Sequence, residues 1–87
     1  MLKENLNTEF EKAYLKVSNT LLKLPPDVML KFYAYYKQAT LGNNYEKSSG
    51  AIELRNAFKL NAWVQLSHIS EEDAKKEYIN LVNKYLK

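Results

Sequence analysis

The sequence predicts an all-α fold of four helices. Its 87 residues include only two glycines and two prolines, so few positions favour a turn. Apolar residues recur at the spacing of a helix face, and the alternation of apolar and polar residues that is typical of strands is nearly absent. Hydrophobic residues make up 46% of the chain and charged residues 26%, which is typical of a globular protein. We expect a single domain over residues 1–87.

The first helix is expected to begin near a capping box formed by Thr8 and Glu11. It should end before Pro25, because the residue before a proline disfavours the helical conformation. Between these limits, the apolar positions that follow the 3.6-residue period are Phe10, Ala13, Tyr14, Val17 and Leu21.

The second helix should begin around Pro25, Pro26 and Asp27. Proline is tolerated in the first turn of a helix, and an acidic side chain there interacts favourably with the helix dipole. The helix should continue to about Leu41 and end at Gly42, since glycine adopts the left-handed conformation that ends many helices.

A long connection is predicted from Asn43 to about Arg55, where turn residues occur without a clear period. The third helix is expected from about Asn56 to Ser67. Its apolar surface is predicted to consist of Ala57, Leu60, Ala62, Trp63 and Leu66.

The fourth helix should begin after Ser70, whose hydroxyl can cap the helix with Asp73 three residues on. Glu71 and Glu72 favour the same helix start through the dipole. The stripe that should face inward consists of Ala74, Tyr78, Leu81, Val82 and Tyr85.

Composition and motifs favour a binding protein over an enzyme. The lone histidine, His68, lies in a predicted turn without a metal-binding cluster, and neither a phosphate-binding glycine loop nor a serine elbow occurs. We therefore expect no cofactor and no catalytic residue. A net charge of +3 is a mild bias towards anionic partners, too weak to indicate nucleic acid.

The sequence also indicates the cellular compartment of the protein. The absence of cysteine fits a reducing environment. There is no run of about 18 apolar residues and no signal-peptide pattern at the amino terminus, so we expect a cytoplasmic protein without stable membrane insertion.

The densest group of chemically distinctive residues lies in the second helix. Tyr33, Tyr36 and Lys37 stand at i, i+3 and i+4 and should project from one side. Two rings, two hydroxyls and an ammonium suit an aromatic ligand that carries phosphate, although a core stripe beside a solvated lysine has the same pattern. Lys59 and Tyr78 repeat this chemistry, but alone they fit a surface lysine and a core ring.

Three segments of the chain resemble the acyl-CoA-binding protein family. The stretch Tyr33-Ala-Tyr-Tyr-Lys-Gln-Ala-Thr-Leu-Gly42 is similar to its Tyr-x-x-Tyr-Lys-Gln-Ala-Thr-x-Gly signature. Lys59-Leu-Asn-Ala-Trp63 resembles the Lys-Trp-x-Ala-Trp segment. Ser70-Glu-Glu-Asp-Ala74, followed by Tyr78-Ile79, resembles the Ser-x-Glu-Asp-Ala…Tyr-Ile segment. The spacing between the segments agrees without gaps.

The resemblance implies a four-helix bundle with up-down-down-up topology and a long crossover between helices 2 and 3. It also implies a non-catalytic function, the intracellular binding and transport of long-chain fatty acyl-CoA esters, which would buffer the acyl-CoA pool. The expected protein is a monomer that passes its ligand to acyl-CoA-using enzymes.

By position, the resemblance places Lys37 and the Tyr33 hydroxyl near the ribose 3′-phosphate and Tyr36 against the adenine. Lys59 would add positive charge and Tyr78 a hydroxyl. The full set that it implies at the ligand is Tyr33, Ala34, Tyr35, Tyr36, Lys37, Lys59 and Tyr78. Met29 and Leu30 match positions near the acyl groove, and they also suit a core.

Three further candidates depart from the family pattern. Ser18 stands where many members have a lysine that helps to bind the ligand. Leu60 replaces the usual tryptophan beside the site lysine. Tyr14 occupies a position that is small in many members, and its bulk could alter chain-length preference or pack differently. Without the resemblance, the same residues are compatible with two other functions. One is docking of a partner protein through the tyrosine-rich face of a helical module, and the other is binding of single-stranded RNA.

Overall fold

The computed structural model describes residues 3–43 and 54–86. These residues form four helices and no strand, which confirms the predicted fold class. The helices are α1 (Lys3–Asn19), α2 (Pro26–Leu41), α3 (Leu54–Val64) and α4 (Glu71–Tyr85). Helix α4 packs against both α1 and α2, and α2 also packs against α3.

Helix α3 runs parallel to α2. The Lys59 ammonium, in the first half of α3, lies over the Tyr33 ring of α2. One turn later in α3, the Trp63 indole donates a hydrogen bond to Gln38, which is also later in α2. The two pairs follow the same order in both helices, so the helices point the same way.

Helix α4 runs antiparallel to α2. Phe32 in the first half of α2 makes an edge contact with Tyr85 at the end of α4. At the other end, Gly42 after α2 lies close to Glu71 at the start of α4.

Helix α1 runs parallel to α4, because Asn7 and Lys75, both near the beginning of their helices, share a hydrogen bond of 2.7 Å. The order is therefore up-down-down-up, as the resemblance implied. The crossover was expected from Asn43 to about Arg55. Residues 44–53 of this segment lie outside the described part of the chain.

The core is centred on the Tyr78 ring of α4. Its centroid lies 5.1 Å from that of Phe10, 5.6 Å from that of Phe32 and 6.1 Å from that of Tyr36. The predicted inward stripe of α4 is confirmed: three of its members are buried and two are half-buried. The buried apolar residues are Leu6, Phe10, Ala13, Val28, Phe32, Ala34, Ala39, Trp63, Ala74, Tyr78, Val82 and Leu86.

The expected start of the first helix near Thr8 is wrong. Helix α1 already includes Lys3, and Thr8 lies within it. The reason is that Leu6 is buried one turn before Phe10 and extends the apolar face towards the amino terminus. A packing contact thus outweighs the local capping signal.

The expected inward position of Leu21 is also wrong. Helix α1 ends at Asn19, and Leu21 is 98% exposed in the connection to α2. There the Thr20 hydroxyl accepts a hydrogen bond of 3.2 Å from the Leu22 N–H. Such a local side-chain bond competes with the helical pattern.

The third helix occupies Leu54–Val64 instead of residues 56–67. Past its end, three backbone bonds of 2.9 to 3.1 Å join residues three apart, which tightens the chain into turns. These bonds run from Leu66 to Trp63, from Ser67 to Val64 and from Ile69 to Leu66.

The predicted limits of α2 and the predicted start of α4 are confirmed. Gly42 has a φ of 60° and a ψ of −131°, and its N–H donates to the Gln38 carbonyl at 3.1 Å. The positive φ favours glycine here, whereas a Cβ at this position would meet only the flexible side chain of Glu71, at 2.8 Å from Oε1. The Ser70 hydroxyl accepts a bond of 3.0 Å from the Asp73 N–H, as expected of a helix cap.

A buried amide joins α2 to α3 and to the turn before α4. Gln38 is 2% exposed. Its Nε2 donates to the Ile69 carbonyl at 2.8 Å and to Asn43 Oδ1 at 3.1 Å. Its Oε1 accepts from Trp63 Nε1 at 3.2 Å, and the same indole N–H reaches the Gly42 carbonyl at 2.9 Å. Buried polar atoms at the junction of three segments are therefore paired.

Replacing Gln38 should destabilise the fold. The Gln38→Leu variant keeps a similar volume but removes the donor to the Ile69 carbonyl and the acceptor for the buried Trp63 indole, which should lower the free energy of unfolding by about 1 to 3 kcal/mol. Urea denaturation followed by circular dichroism measures this change. The matched control is Gln65→Leu at an exposed position, where we expect a change within about 0.5 kcal/mol. Equal losses in both variants would contradict the role of Gln38.

Replacing Ser70 should weaken the start of α4. The Ser70→Ala variant removes the acceptor for the Asp73 N–H and should cost about 1 kcal/mol, whereas Ser70→Asn should retain most of the stability because asparagine also caps helices. The comparison uses urea midpoints of the two variants and the parent. An alanine variant as stable as the asparagine variant would show that the cap contributes nothing.

Candidate functional site

An open groove of about 920 Å³ lies on the surface and receives side chains from all four helices. Most of the lining is apolar or aromatic, and two lysines complete it. The lining residues are Tyr14, Val17, Leu24, Pro26, Met29, Leu30, Phe32, Tyr33, Tyr36, Lys37, Phe58, Lys59 and Tyr78. Such a combination suits an amphiphilic ligand, with an apolar part and an anionic part.

The positive side of the groove is built around Tyr33. The Lys59 Nζ lies 5.3 Å from the centroid of the Tyr33 ring, and the Lys37 Nζ lies 5.8 Å from it. Lys37 lies at the same distance, 5.8 Å, from the Trp63 ring. Two ammonium groups and a phenol are thus close enough to contact one phosphate-bearing ligand.

The spacing of residues along α2 and α3 explains this arrangement. Tyr33 and Lys37 lie four residues apart on α2, so they share a face. Lys59 and Trp63 have the same spacing on α3. Once the indole of Trp63 is bonded to Gln38, Lys59 is one turn away on the same side and reaches Tyr33.

The floor of the groove includes the hydroxyl-bearing ring of Tyr78. The ring is almost fully buried in the core, and it also lines the groove. Burial, followed by the neighbouring phenols of Tyr14 and Tyr36, raises the pKa of Tyr78 above its ordinary value. An ordinary tyrosine is already protonated at neutral pH, and this rise moves its titration further from neutrality, so the hydroxyl can donate a hydrogen bond.

The apolar side of the groove lies where α1 ends and α2 begins. Val17 of α1, Leu24 of the connection, and Met29 and Leu30 of α2 line it. Met29 is 49% exposed, and Phe58 across the groove on α3 is 56% exposed. An apolar ligand would remove these side chains from water, which is favourable.

Eight of the twelve candidate residues from the sequence line this groove. They are Tyr14, Met29, Leu30, Tyr33, Tyr36, Lys37, Lys59 and Tyr78. Their contact with a ligand remains a prediction.

The other four candidates are placed elsewhere. Ala34 is buried, and Tyr35 is half-buried and packs against the core. Ser18 and Leu60 are exposed on α1 and α3 and do not line the groove. The groove does not bring these four residues together with the other eight.

Sequence reasoning did not assign Val17, Leu24, Pro26, Phe32 or Phe58 to the site. Val17 was expected only as part of the apolar face of the first helix. Phe58 had a usable signal in the sequence, because it is a large aromatic residue next to the candidate Lys59. The structural role of Gln38 had a weaker signal, its place within the signature segment.

Residues 3–43 and 54–86 do not support a metal site or a membrane-spanning helix. Within these ranges, no three His, Cys, Asp or Glu side chains come together to hold a metal ion. His68 is exposed in the turn before α4. None of the described helices combines the length and the apolar character that crossing a membrane requires.

Comparisons with known proteins agree with this geometry. A family model described as acyl CoA binding protein matches residues 7–82. The Saccharomyces cerevisiae acyl-CoA-binding protein is 39% identical over 77 residues, which cover 88% of either chain. The solved structure of Oryza sativa acyl-CoA-binding protein 2 is similar to that of this chain, with a TM-score of 0.83 and 31% sequence identity. The match covers 93% of this chain and 90% of the rice chain.

The similarity extends to part of a larger protein. Human enoyl-CoA delta isomerase 2 is 39% identical over 77 residues, which cover 86% of this chain but 19% of that protein. The matching region is thus a small part of the human protein. With a family model over residues 7–82, similar relatives of nearly equal length and a shared fold, this chain belongs to the acyl-CoA-binding protein family.

Proposed function

We propose that this chain is a non-catalytic carrier that binds one long-chain fatty acyl-CoA ester, transports it and buffers the acyl-CoA pool. The main supporting observation is that one groove combines two kinds of surface. One has the ammonium groups of Lys37 and Lys59 over the Tyr33 ring, and the other is apolar. Family membership supports the same ligand class.

The nucleotide end of the ligand fits the positive side. Lys37 and Lys59, whose ammonium groups lie over the Tyr33 ring, supply charge for the ribose 3′-phosphate, and the Tyr33 hydroxyl supplies a hydrogen bond. The part of the Tyr36 ring that faces the groove offers a surface for the adenine, and the protonated Tyr78 hydroxyl adds a donor from α4.

The acyl chain fits the apolar side, where Val17, Leu24, Met29 and Leu30 line the groove. Each methylene that leaves water contributes roughly 0.8 kcal/mol. An ester with a long chain should therefore bind far more tightly than free coenzyme A, even though both carry the same phosphates.

The lining also supports a carrier over an enzyme. The described residues that line the groove include no His, Cys, Ser, Asp or Glu, so no lysine or tyrosine of the lining has an imidazole or carboxylate base beside it there. Tyr78 is neutral at pH 7 like an ordinary tyrosine, and burial raises its pKa further. We therefore expect the groove to bind the ester without attacking its thioester.

The alternative of a protein-interaction module is not favoured, because the family match covers residues 7–82 and includes the tyrosine-rich face. A cytoplasmic location, a monomeric state, a single domain, the absence of a cofactor and delivery to acyl-CoA-using enzymes remain predictions.

Native mass spectrometry tests the proposed function. Purified protein is mixed separately with palmitoyl-CoA, free CoA and palmitate. We expect a one-to-one complex with palmitoyl-CoA that survives at concentrations where neither fragment binds, because only the ester uses both sides of the groove. Equal retention of CoA and palmitoyl-CoA, or no complex at all, would refute the carrier function.

The Lys37→Ala and Lys59→Ala variants test the positive side of the groove. Each should lower the affinity for palmitoyl-CoA about ten- to 150-fold, because a hydrogen bond to a charged group contributes roughly 1.5 to 3 kcal/mol. Isothermal titration calorimetry measures the change. Lys76→Ala, at an exposed position on α4 outside the groove, is the matched control and should bind like the parent. If both test variants bound palmitoyl-CoA as tightly as the parent, these lysines would not be ligand contacts.

A further inference from the structure

Tyr14 contributes an exposed aromatic ring to the groove from α1. The residue lines the groove and is 41% exposed. Its ring stacks on Tyr36 of α2, with the two centroids 4.8 Å apart and the two planes 26° from parallel. Because such a contact uses one face of each ring, the exposed part of the Tyr14 ring is open to a flat group of a ligand.

Tyr36 has less free surface for stacking than Tyr14. Besides Tyr14, its ring stacks on Phe10, at 5.8 Å between centroids and 18° between planes. The Tyr78 centroid lies 6.1 Å away. Tyr36 is half-buried among these rings, so only part of it faces the groove. A base that lay against Tyr36 alone would have a smaller contact than a base that also lay on Tyr14.

Tyr14 lies on the nucleotide side of the groove. On α2, Met29 of the apolar side comes first, and Tyr33 follows one turn later. Tyr36 and Lys37 come another turn further on. Because Tyr14 stacks on Tyr36, it lies beside this last turn, away from Met29. A nucleotide whose phosphate is held at Lys37 can therefore place its base at Tyr14.

We propose that the adenine base of the ligand stacks on the exposed face of Tyr14, next to the part of Tyr36 that lines the groove. The inference rests on the proposed function, since it concerns the same ligand. Adenine and a phenol ring are both flat and aromatic, so they gain from an offset stack. The contact of Tyr14 with Tyr36 already orders this ring, which lowers the entropy that is lost when the base binds.

Removing the Tyr14 ring should weaken binding through the base. Tyr14→Leu keeps an apolar side chain against Tyr36 but has no flat ring. It should lower the affinity for palmitoyl-CoA about five- to 150-fold, the range for one base stacked on an aromatic side chain. Tyr14→Phe keeps the ring and should bind like the parent. Isothermal titration calorimetry measures these affinities.

A second ligand separates the base from the rest of the ester. S-palmitoyl-4′-phosphopantetheine carries the same acyl chain and thioester but lacks the adenosine part, so its affinity should be equal in Tyr14→Leu and in the parent. Leu15→Ala is the matched control, because Leu15 adjoins Tyr14 on α1 and is also exposed but does not line the groove. It should bind both esters like the parent. Urea denaturation establishes that each variant is folded.

A measurement on the parent protein tests the same contact without a substitution. In the complex with palmitoyl-CoA, we expect nuclear Overhauser effects between the adenine ring protons and the ring protons of Tyr14. Contacts of the adenine with Tyr36 but not with Tyr14 would overturn the inference.

The variants can also contradict it. Parent affinity or tighter binding of palmitoyl-CoA in Tyr14→Leu would overturn the inference while leaving the carrier function intact. An equal loss with both esters would do the same, since the effect would then not act through the base. An equal loss in Leu15→Ala would show a general disturbance of α1 and would also overturn it. A parent protein that binds neither ester would overturn the proposed function and this inference together.

Discussion

The hydrogen bond between Gln38 and Trp63 is the constraint on which the candidate site depends. Helix α3 packs against α2, and this bond fixes where along α2 it does so. Lys59 then lies one turn before Trp63 and beside Tyr33, which gives the groove its second ammonium group. A buried amide is costly unless its donors and acceptor are paired, so the arrangement that satisfies Gln38 is favoured over other placements of α3.

Packing and binding use the same aromatic side chains. Tyr78 is the centre of the core, and it is also part of the groove floor. Tyr36 contacts three aromatic rings from α1 and α4 while it lines the groove. A ligand would therefore meet a surface whose rings are already ordered by the core, so that little conformational entropy is lost when it binds. Lys37 and Lys59 complete this surface with charge at its edge.

Local signals predicted those parts of the fold that local chemistry decides. Pro26, Gly42 and Ser70 mark helix ends through backbone conformation or capping, and the structure has helix ends at these positions. Thr8 also had a local signal, but the burial of Leu6 extended α1 past it. A capping box indicates where a helix can begin, whereas packing at a distance decides whether it begins earlier.

The site depended more on contacts between distant parts of the chain. The face of Tyr33, Tyr36 and Lys37 follows from helical spacing alone, but the position of Lys59 beside it follows from the pairing of Gln38 with Trp63, 25 residues away. Only the resemblance to a family supplied that proximity in advance. The stacking of Tyr14 on Tyr36 was not predicted, because it joins two helices whose relative position no local pattern specifies.

The central claim is that one groove holds the nucleotide on its lysine side and the acyl chain on its apolar side. Chemical-shift mapping of ¹⁵N- and methyl-labelled protein, titrated in parallel with free CoA and palmitoyl-CoA, tests it most directly. The account predicts that free CoA perturbs the signals of Tyr33, Lys37 and Lys59, and that palmitoyl-CoA perturbs these together with Met29 and Leu30. Perturbations by palmitoyl-CoA that fall outside the groove, or that leave Met29 and Leu30 unchanged, would contradict it.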